Sequence, residues 1–117
     1  MPSSNQTSVI AERLRVATGF QAAEHAEVIE RLSSLDRRLS RYPAESVQLE
    51  ISVKERGGAD QHVTLECWIG GMPHLAARSG EPDVMRAVQE TRDELARQLG
   101  DLIDKRTPAH NRHLREV

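Results

Sequence analysis

The chain has 117 residues and a formal net charge of -2, and 38% of its residues are hydrophobic while 29% are charged. This length corresponds to one domain, and no apolar run reaches the roughly 18 residues of a membrane span, so we expect no membrane protein. The polar segment before Glu12 lacks the pattern of a secretory signal. A single cysteine, Cys67, excludes an internal disulfide and fits the reducing cytoplasm.

Basic residues are concentrated in two stretches of the sequence. Residues 31–41 hold four arginines and one aspartate, and residues 105–115 hold four basic residues and no acidic one. Because the whole chain is weakly acidic, the rest of the sequence carries an excess of acidic residues. A run of charge is usually a solvated face, but it can also form a cationic surface for a polyanion.

The first part of the chain predicts one long helix. Residues 8–20 are ambiguous, because their few apolar residues fit either a short strand or a helix. From residue 21 to residue 42 the apolar residues recur at spacings of three and four, which places them in one helical stripe: Val28, Ile29, Leu32, Leu35, Leu39 and Tyr42. Pro43 ends this helix, because proline disfavours the helical conformation of the residue before it.

The middle of the chain predicts three antiparallel strands. Apolar and polar residues alternate from residue 47 to residue 54, as in a strand with one buried face. A second alternating run covers residues 63–69, and a shorter strand is expected over residues 73–78. Glycine pairs at residues 57–58 and 70–71 indicate the hairpin turns, since glycine tolerates a positive φ.

The last part of the chain predicts a second helix. Pro82 suits a first helical turn, and Asp83 favours the positive end of the helix dipole. The apolar stripe of this helix consists of Val84, Val88, Leu95, Leu99 and Leu102. We expect the helix to end at Thr107 and Pro108 and a loose tail to follow.

These elements predict a two-layer α+β fold in which both helices cover one face of an antiparallel meander. We expect an N-terminal segment over residues 1–20, in which a first strand is left open, and an α+β domain over residues 21–106. Residues 107–117 are expected to form a basic flexible tail.

The candidates for catalysis or metal binding are weak. His110 and His113 lie three residues apart without a third ligand near them in sequence. Cys67 falls on the inward side of its strand, where a thiol behaves as a small hydrophobe. Glu50 and Glu66 are expected to be cross-strand neighbours on the outer face, with no base or pocket beside them. We therefore expect no enzyme, no cofactor and no metal.

Arginines on the two predicted helices are the best candidates for a binding surface. If the helices pack side by side, their basic residues form a surface that contacts phosphates. The candidate RNA-binding residues are Arg31, Arg37, Arg38, Arg41, Arg86, Arg92, Arg97, Lys105 and Arg106. Asp93 and Asp101 each lie four residues from Arg97, and pairs at this spacing partly neutralise the last helix.

Three strings of the sequence resemble segments of one known family. Residues 63–71, which end in Trp-Ile-Gly-Gly, look like the family's third strand and its glycine turn. Residues 83–88 look like the opening of its last helix, and Leu-Ala-Arg-Gln-Leu at residues 95–99 looks like a string within that helix. Over residues 21–106 the chain resembles the ribosome hibernation promoting factors, also called ribosome-associated inhibitors.

The resemblance implies a β-α-β-β-β-α fold, similar to double-stranded-RNA-binding domains. It also implies a cytoplasmic stress-response protein that binds the small ribosomal subunit in the channel of messenger and transfer RNA, and that inhibits translation by steric occlusion. Arg31, Arg97 and Lys105 match basic positions of the family. The chain would be a short form, because no dimerising domain follows.

The sequence also departs from the family, and the departures support an alternative function. Met85 stands at a usual tyrosine, Glu94 at a usual lysine, and Asp101 where basic residues are common. At the last two of these positions the acidic side chain repels phosphate. The alternative is a protein-interaction module on the same fold that has lost ribosome binding and forms a homodimer through the outer sheet face near Trp68.

Overall fold

The computed structural model describes residues 8–106, and it describes side chains for residues 8–102. The expected tail over residues 107–117, with His110 and His113, lies outside the described residues. The described elements are the helices α1 (Val9–Arg13), α2 (His25–Leu32), α3 (Asp36–Leu39) and α4 (Val84–Arg106), and the strands β1 (Leu14–Val16), β2 (Val47–Lys54), β3 (His62–Ile69) and β4 (Leu75–Ser79).

The ambiguous segment before Gly19 contains both a helix and a strand. Ser8 caps α1, since its hydroxyl oxygen accepts from the amide of Ala11 at 3.1 Å. The chain then turns extended, and β1 pairs with β2 in parallel, with Arg15 opposite Glu50. Each element is too short for its periodicity to be recognised in the sequence.

The predicted helix over residues 21–42 is divided into short helical pieces. Single turns of 3₁₀ helix at Ala22–Glu24 and Ser33–Leu35 precede α2 and α3. The Ser33 hydroxyl donates to the carbonyl of Glu30 at 2.7 Å, a local bond by which serine competes with regular helix. The apolar stripe nevertheless continues through the break, because Val28, Leu32, Leu35 and Leu39 are all fully buried.

The sheet has the order β1-β2-β3-β4, and β2, β3 and β4 form the predicted antiparallel meander. In the first hairpin Val47 pairs with Ile69 and Lys54 pairs with His62, so the strand predicted over residues 47–54 is confirmed. The last strand covers Leu75–Ser79 instead of residues 73–78. The crossover from β1 through α2 and α3 to β2 adds the parallel edge.

The helices cover one face of the sheet, which confirms the two-layer α+β fold. The inward side chains of the strands join the apolar faces of all four helices in one buried cluster, whose largest members include Ile10, Leu32, Leu39, Leu49, Ile51, Leu65, Leu95 and Leu99. Burial of each such side chain contributes about 1.5–3 kcal/mol to folding. No helix within the described residues 8–106 is long and apolar enough to cross a membrane.

Gly19 holds the turn that leads from β1 to α2 against the sheet. Its φ is 99°, and a Cβ at this position would overlap the carbonyl oxygen of Val53. The adjacent Thr18 carbonyl accepts from the amide of Val53 at 3.0 Å and continues the pairing beyond β1. Only glycine combines this backbone conformation with so close an approach.

Candidate nucleic-acid interface

Three exposed arginines lie at and just beyond α3. Arg37, Arg38 and Arg41 are all exposed, and none of them has a side-chain ion pair or hydrogen bond within the described part of the chain. They lie at the C-terminal end of a helical segment, where the exposed carbonyl groups favour positive charge. Their guanidinium groups are therefore available to bind an anion.

The one acidic residue among these arginines contacts a different helix. Oδ2 of Asp36 accepts from the Ser8 hydroxyl at 2.5 Å, and Oδ1 accepts from the amide of Ile10 at 2.8 Å. Asp36 thus satisfies the free N-terminal donors of α1 instead of pairing with an arginine. The sequence interval of 28 residues between Ser8 and Asp36 gives no signal of this contact.

Two further candidate arginines join the helices to each other. Arg31 forms an ion pair with Glu27 at 2.8 Å, and its Nη1 donates to Oε1 of Gln89 on α4 at 2.8 Å. Nη1 of Arg92 donates to the carbonyl of Arg31 at 3.2 Å, and Nη2 lies 2.8 Å from Asp93. The structure therefore brings Arg31 and Arg92 together, and they form a structural link between the helices with carboxylate partners.

Arg97 lies between two carboxylates on the exposed face of α4. It contacts Oε2 of Glu94 at 2.5 Å and Oδ2 of Asp101 at 2.8 Å. Hydrogen bonds from Arg97 and Gln98 lower the pKa of Glu94 to about 2. The predicted pair with Asp101 is confirmed, whereas the predicted pair with Asp93 is wrong, because Asp93 contacts Arg92.

The remaining candidates on α4 differ in what the structure describes. The Arg86 side chain is 70% exposed, and its Nε lies 3.9 Å from Oε2 of Glu81, so it is the most available described arginine of this helix. Lys105 and Arg106 belong to the last turn of α4, and their side chains lie outside the described residues.

Two arginines that the sequence analysis left out of the candidate set lie before the first long helix. Arg13 donates from Nε to the carbonyl of Val47 at 2.8 Å, which ties α1 to the start of β2. Arg15 is exposed and has no described side-chain partner. They could not be placed from the sequence, because no helix or strand was assigned to residues 8–20.

A shallow depression beside Arg31 carries mixed charge. It is lined by Arg31, Asp83, Met85, Arg86, Gln89, Glu90 and Asp93. Three carboxylates and two guanidinium groups meet there, so the depression does not concentrate positive charge. Among the described residues, no group of three or more His, Cys, Asp or Glu side chains is placed to hold a metal ion.

The opposite face of the sheet carries the one large apolar side chain that is exposed within the described residues. Trp68 is 39% exposed and stacks on His74, with ring centroids 5.0 Å apart. Glu50 and Glu66 are cross-strand neighbours on this face, as predicted. Cys67 points the other way and is fully buried, and burial raises the pKa of its thiol to about 12.

The comparisons with known proteins find similarity among solved structures only. Among solved structures, the N-terminal domain of Protein Y from Thermus thermophilus is 17% identical to this chain, with a TM-score of 0.47; the match covers 74% of this chain and 91% of that one. No family model matches the chain, and no curated protein matches it. Similarity at this level carries no functional conclusion, so a proposal of function has to come from the residues themselves.

Proposed function

We propose that the protein binds the small ribosomal subunit in the channel of messenger and transfer RNA and inhibits translation by occupying that channel. It acts in the cytoplasm as a steric obstacle and performs no chemistry. The sequence strings that resemble the hibernation promoting factors support this function. From β1 onwards the observed order of a strand, a helical segment, three strands and a helix is also the order that the resemblance implies, and α1 precedes it.

The observation that carries the proposal is the group of unpaired cations at the end of α3. Arg37, Arg38 and Arg41 project into solvent while Asp36 is held by α1. A guanidinium group that has no carboxylate partner contacts a phosphate without first breaking an ion pair. These three arginines therefore contribute most of the electrostatic affinity for ribosomal RNA.

The other candidate arginines have a secondary role in this proposal. Arg31, Arg92 and Arg97 each have a carboxylate partner, which must be displaced or shared when a phosphate approaches. Arg86 is the best placed residue on α4. Lys105 and Arg106 belong to the last turn of α4, and we include them in the proposed set of RNA-binding residues.

The test is co-sedimentation with isolated small ribosomal subunits over a series of salt concentrations. We expect the wild-type protein to pellet at low salt and to be released as salt rises. The variant Arg37→Gln/Arg38→Gln/Arg41→Gln loses three phosphate contacts, so it binds more weakly at every salt concentration. The slope of the logarithm of affinity against the logarithm of salt decreases by roughly 2–3, since each contact contributes about 0.7–0.9.

The matched control removes cations from the opposite face of the sheet. Arg15 and Lys54 are exposed there, so the variant Arg15→Gln/Lys54→Gln is compared with Arg38→Gln/Arg41→Gln, which has the same net charge. Equal weakening by both pairs would mean that net charge, and not the α3 surface, sets the affinity. A wild-type protein that fails to pellet at the lowest salt is not a ribosome-binding factor, and the protein-interaction alternative then takes its place.

A further inference from the structure

The outer face of the sheet, defined as the strand side chains that point away from the helices, has an ordered distribution of charge. Cross-strand pairing arranges these side chains in rows about 7 Å apart along the strands. The carboxylate row contains Arg15, Glu50, Glu66 and Ala76. The neighbouring hydroxyl row contains Ser52, Thr64 and Arg78.

The two outer rows, one on each side of this central pair of rows, also differ from each other in their side chains. On the carboxylate side the next row contains Gln48 and Trp68, with the stacked His74 beside them. On the hydroxyl side the next row contains Lys54 and His62. One end of the outer face therefore carries the aromatic rings and both glutamates, with Arg15 at its edge and Nε2 of His74 3.4 Å from Oε2 of Glu66. The other end carries Lys54, Arg78 and the hydroxyl groups.

We propose that two copies of the chain associate through their outer faces, with the strands of one copy antiparallel to those of the other. A two-fold axis that runs across the strands, midway between the carboxylate row and the hydroxyl row, exchanges these rows between the copies. Such an interface is self-complementary, since each contact occurs twice. The surface is separate from the arginines of α3, so this inference does not depend on ribosome binding.

The antiparallel arrangement places both glutamates of the carboxylate row opposite hydroxyl groups of the other copy. Glu66 of one copy faces Thr64 of the other, with Arg78 on the adjacent strand within reach of an extended guanidinium side chain. Glu50 faces the hydroxyl group of Ser52 in the same way. Two stacked sheets lie about 10 Å apart, a separation that these side chains span.

The charge pattern opposes the parallel arrangement in which the two sheets are centred on each other. A two-fold axis along the strands at the centre of the sheet, midway between β2 and β3, would place the carboxylate rows of the two copies against each other, so Glu50 would face Glu66. Like charges brought together in an interface oppose association strongly. The distribution of charge thus selects one of the two ways in which the faces can stack.

The exposed tryptophan supports a protein partner on this face and not a nucleic acid. Trp68 provides the amphipathic aromatic surface that is enriched in protein interfaces. In the antiparallel arrangement it faces His62 of the other copy. A nucleic-acid strand stacked on Trp68 would bring its phosphates close to Glu50 and Glu66, where they would be repelled.

The size of the face indicates a weak and reversible dimer. Four rows on four strands give roughly 500 Å² of sheet per copy. This area is below the roughly 800 Å² per partner of a standard stable interface. Self-association is therefore measured by sedimentation velocity with protein concentrations from about 10 μM to about 1 mM.

The experiment uses two charge-reversal variants, alone and mixed. In a dimer of Glu66→Arg, two cations meet at each contact between positions 66 and 78. In a dimer of Arg78→Glu, two carboxylates meet there. Each variant alone should therefore associate at least about tenfold more weakly than wild type. In an equimolar mixture the two cations of one variant meet the two carboxylates of the other. We expect the mixture to form a dimer at concentrations where each variant alone is a monomer.

The control is Glu30→Arg, which makes the same charge change at an exposed position on α2. This variant should associate like wild type, and circular dichroism should show that all variants are folded. A wild-type protein that remains monomeric at the highest concentration overturns the proposal. So does a wild-type dimer whose association either single variant leaves intact, or that the mixture of the two variants fails to restore.

Discussion

The α2–α3 segment, residues 25–41, and helix α4 cover the same face of the sheet and carry similar numbers of arginines, but those arginines have different partners. On α4, Arg97 contacts Glu94 and Asp101, and Arg92 contacts Asp93. At the end of α3 the arginines are exposed without described partners. The comparison shows that the positions of the carboxylates, more than the number of cations, determine where a helical surface can bind an anion.

The two regions differ because their acidic residues contact different partners. Glu94 and Asp101 lie three and four residues from Arg97, the spacings that bring side chains together on one helix. Asp36 instead caps the neighbouring helix α1 through Ser8 and Ile10. A capping contact in one region therefore leaves cations unpaired in the α3 region.

The largest expected effect comes from removing this cap. Asp36→Ala leaves the amide of Ile10 and the hydroxyl of Ser8 without their acceptor, so the free energy of unfolding falls by about 1–2 kcal/mol. Urea unfolding followed by circular dichroism measures this loss. Affinity for small ribosomal subunits should not fall, because the variant removes a negative charge beside the arginines.

Asp36→Asn is the matched variant for that prediction. Its amide oxygen still accepts from Ile10, so it should retain more stability than Asp36→Ala. If both variants unfold like wild type, then Asp36 has no capping role, and the difference between the two helical regions needs another cause.

A smaller effect is expected when α4 is made to resemble the α3 region. The variant Glu94→Gln/Asp101→Asn frees Arg97, so affinity for small subunits should rise by about threefold, equivalent to roughly 0.6 kcal/mol. Stability should change little, because exposed ion pairs contribute little to folding. The measurement is the same co-sedimentation assay at one fixed salt concentration.

The control for this prediction is the same pair of substitutions in a chain that carries Arg97→Gln. Any gain that arises from Arg97 disappears in this background, as in a double-mutant cycle. A gain in affinity that persists would come from the general loss of negative charge. That result would contradict the conclusion that the carboxylate partners of Arg97 prevent it from binding an anion.

The smallest effect concerns acid stability at Glu24, which lies in the 3₁₀ turn directly before α2. Arg56 binds Glu24 at 2.7 Å, and this hydrogen bond lowers the pKa of Glu24 from 4.5 to about 2. Since the folded-state pKa is lowered, the pair stabilises the fold fully above pH 4.5 and loses its contribution as pH falls towards about 2. Glu24→Gln should therefore reduce the dependence of stability on pH within this window, measured by urea unfolding at several pH values.

The corresponding control lies on α4. Glu94 also has a pKa of about 2, but its side chain is 39% exposed, so solvent screens its interaction with Arg97. Glu94→Gln should change the acid dependence less than Glu24→Gln does. The reverse order would contradict the stronger role given to the Arg56 contact.

The sequence predicted the elements with a clear period and missed those that depend on distant contacts. Strand β2 and helix α4 follow from regular alternation and from one long apolar stripe. The parallel pairing of β1 depends on contact between Leu14 and Leu49, which are far apart in the chain. No local pattern over three residues specifies such a strand.

The same limit applies to the candidate site. The pairing of Arg97 with Asp101 follows from helical spacing and was predicted. The contact of Asp36 with α1, and that of Arg31 with Gln89, require the packed arrangement of the helices. The candidate arginines could therefore be named from the sequence, but the tertiary structure was needed to distinguish the free ones from the paired ones.

The close approach of Gly19 to Val53 is a requirement of the fold that does not depend on the proposed binding surface. This glycine is required by steric exclusion at the crossover, and its carbonyl accepts from Arg56, which is not one of the proposed RNA-binding arginines. A lineage of such chains can exchange every arginine of α3 and keep the glycine. Descendants of that kind would share this scaffold while serving different partners.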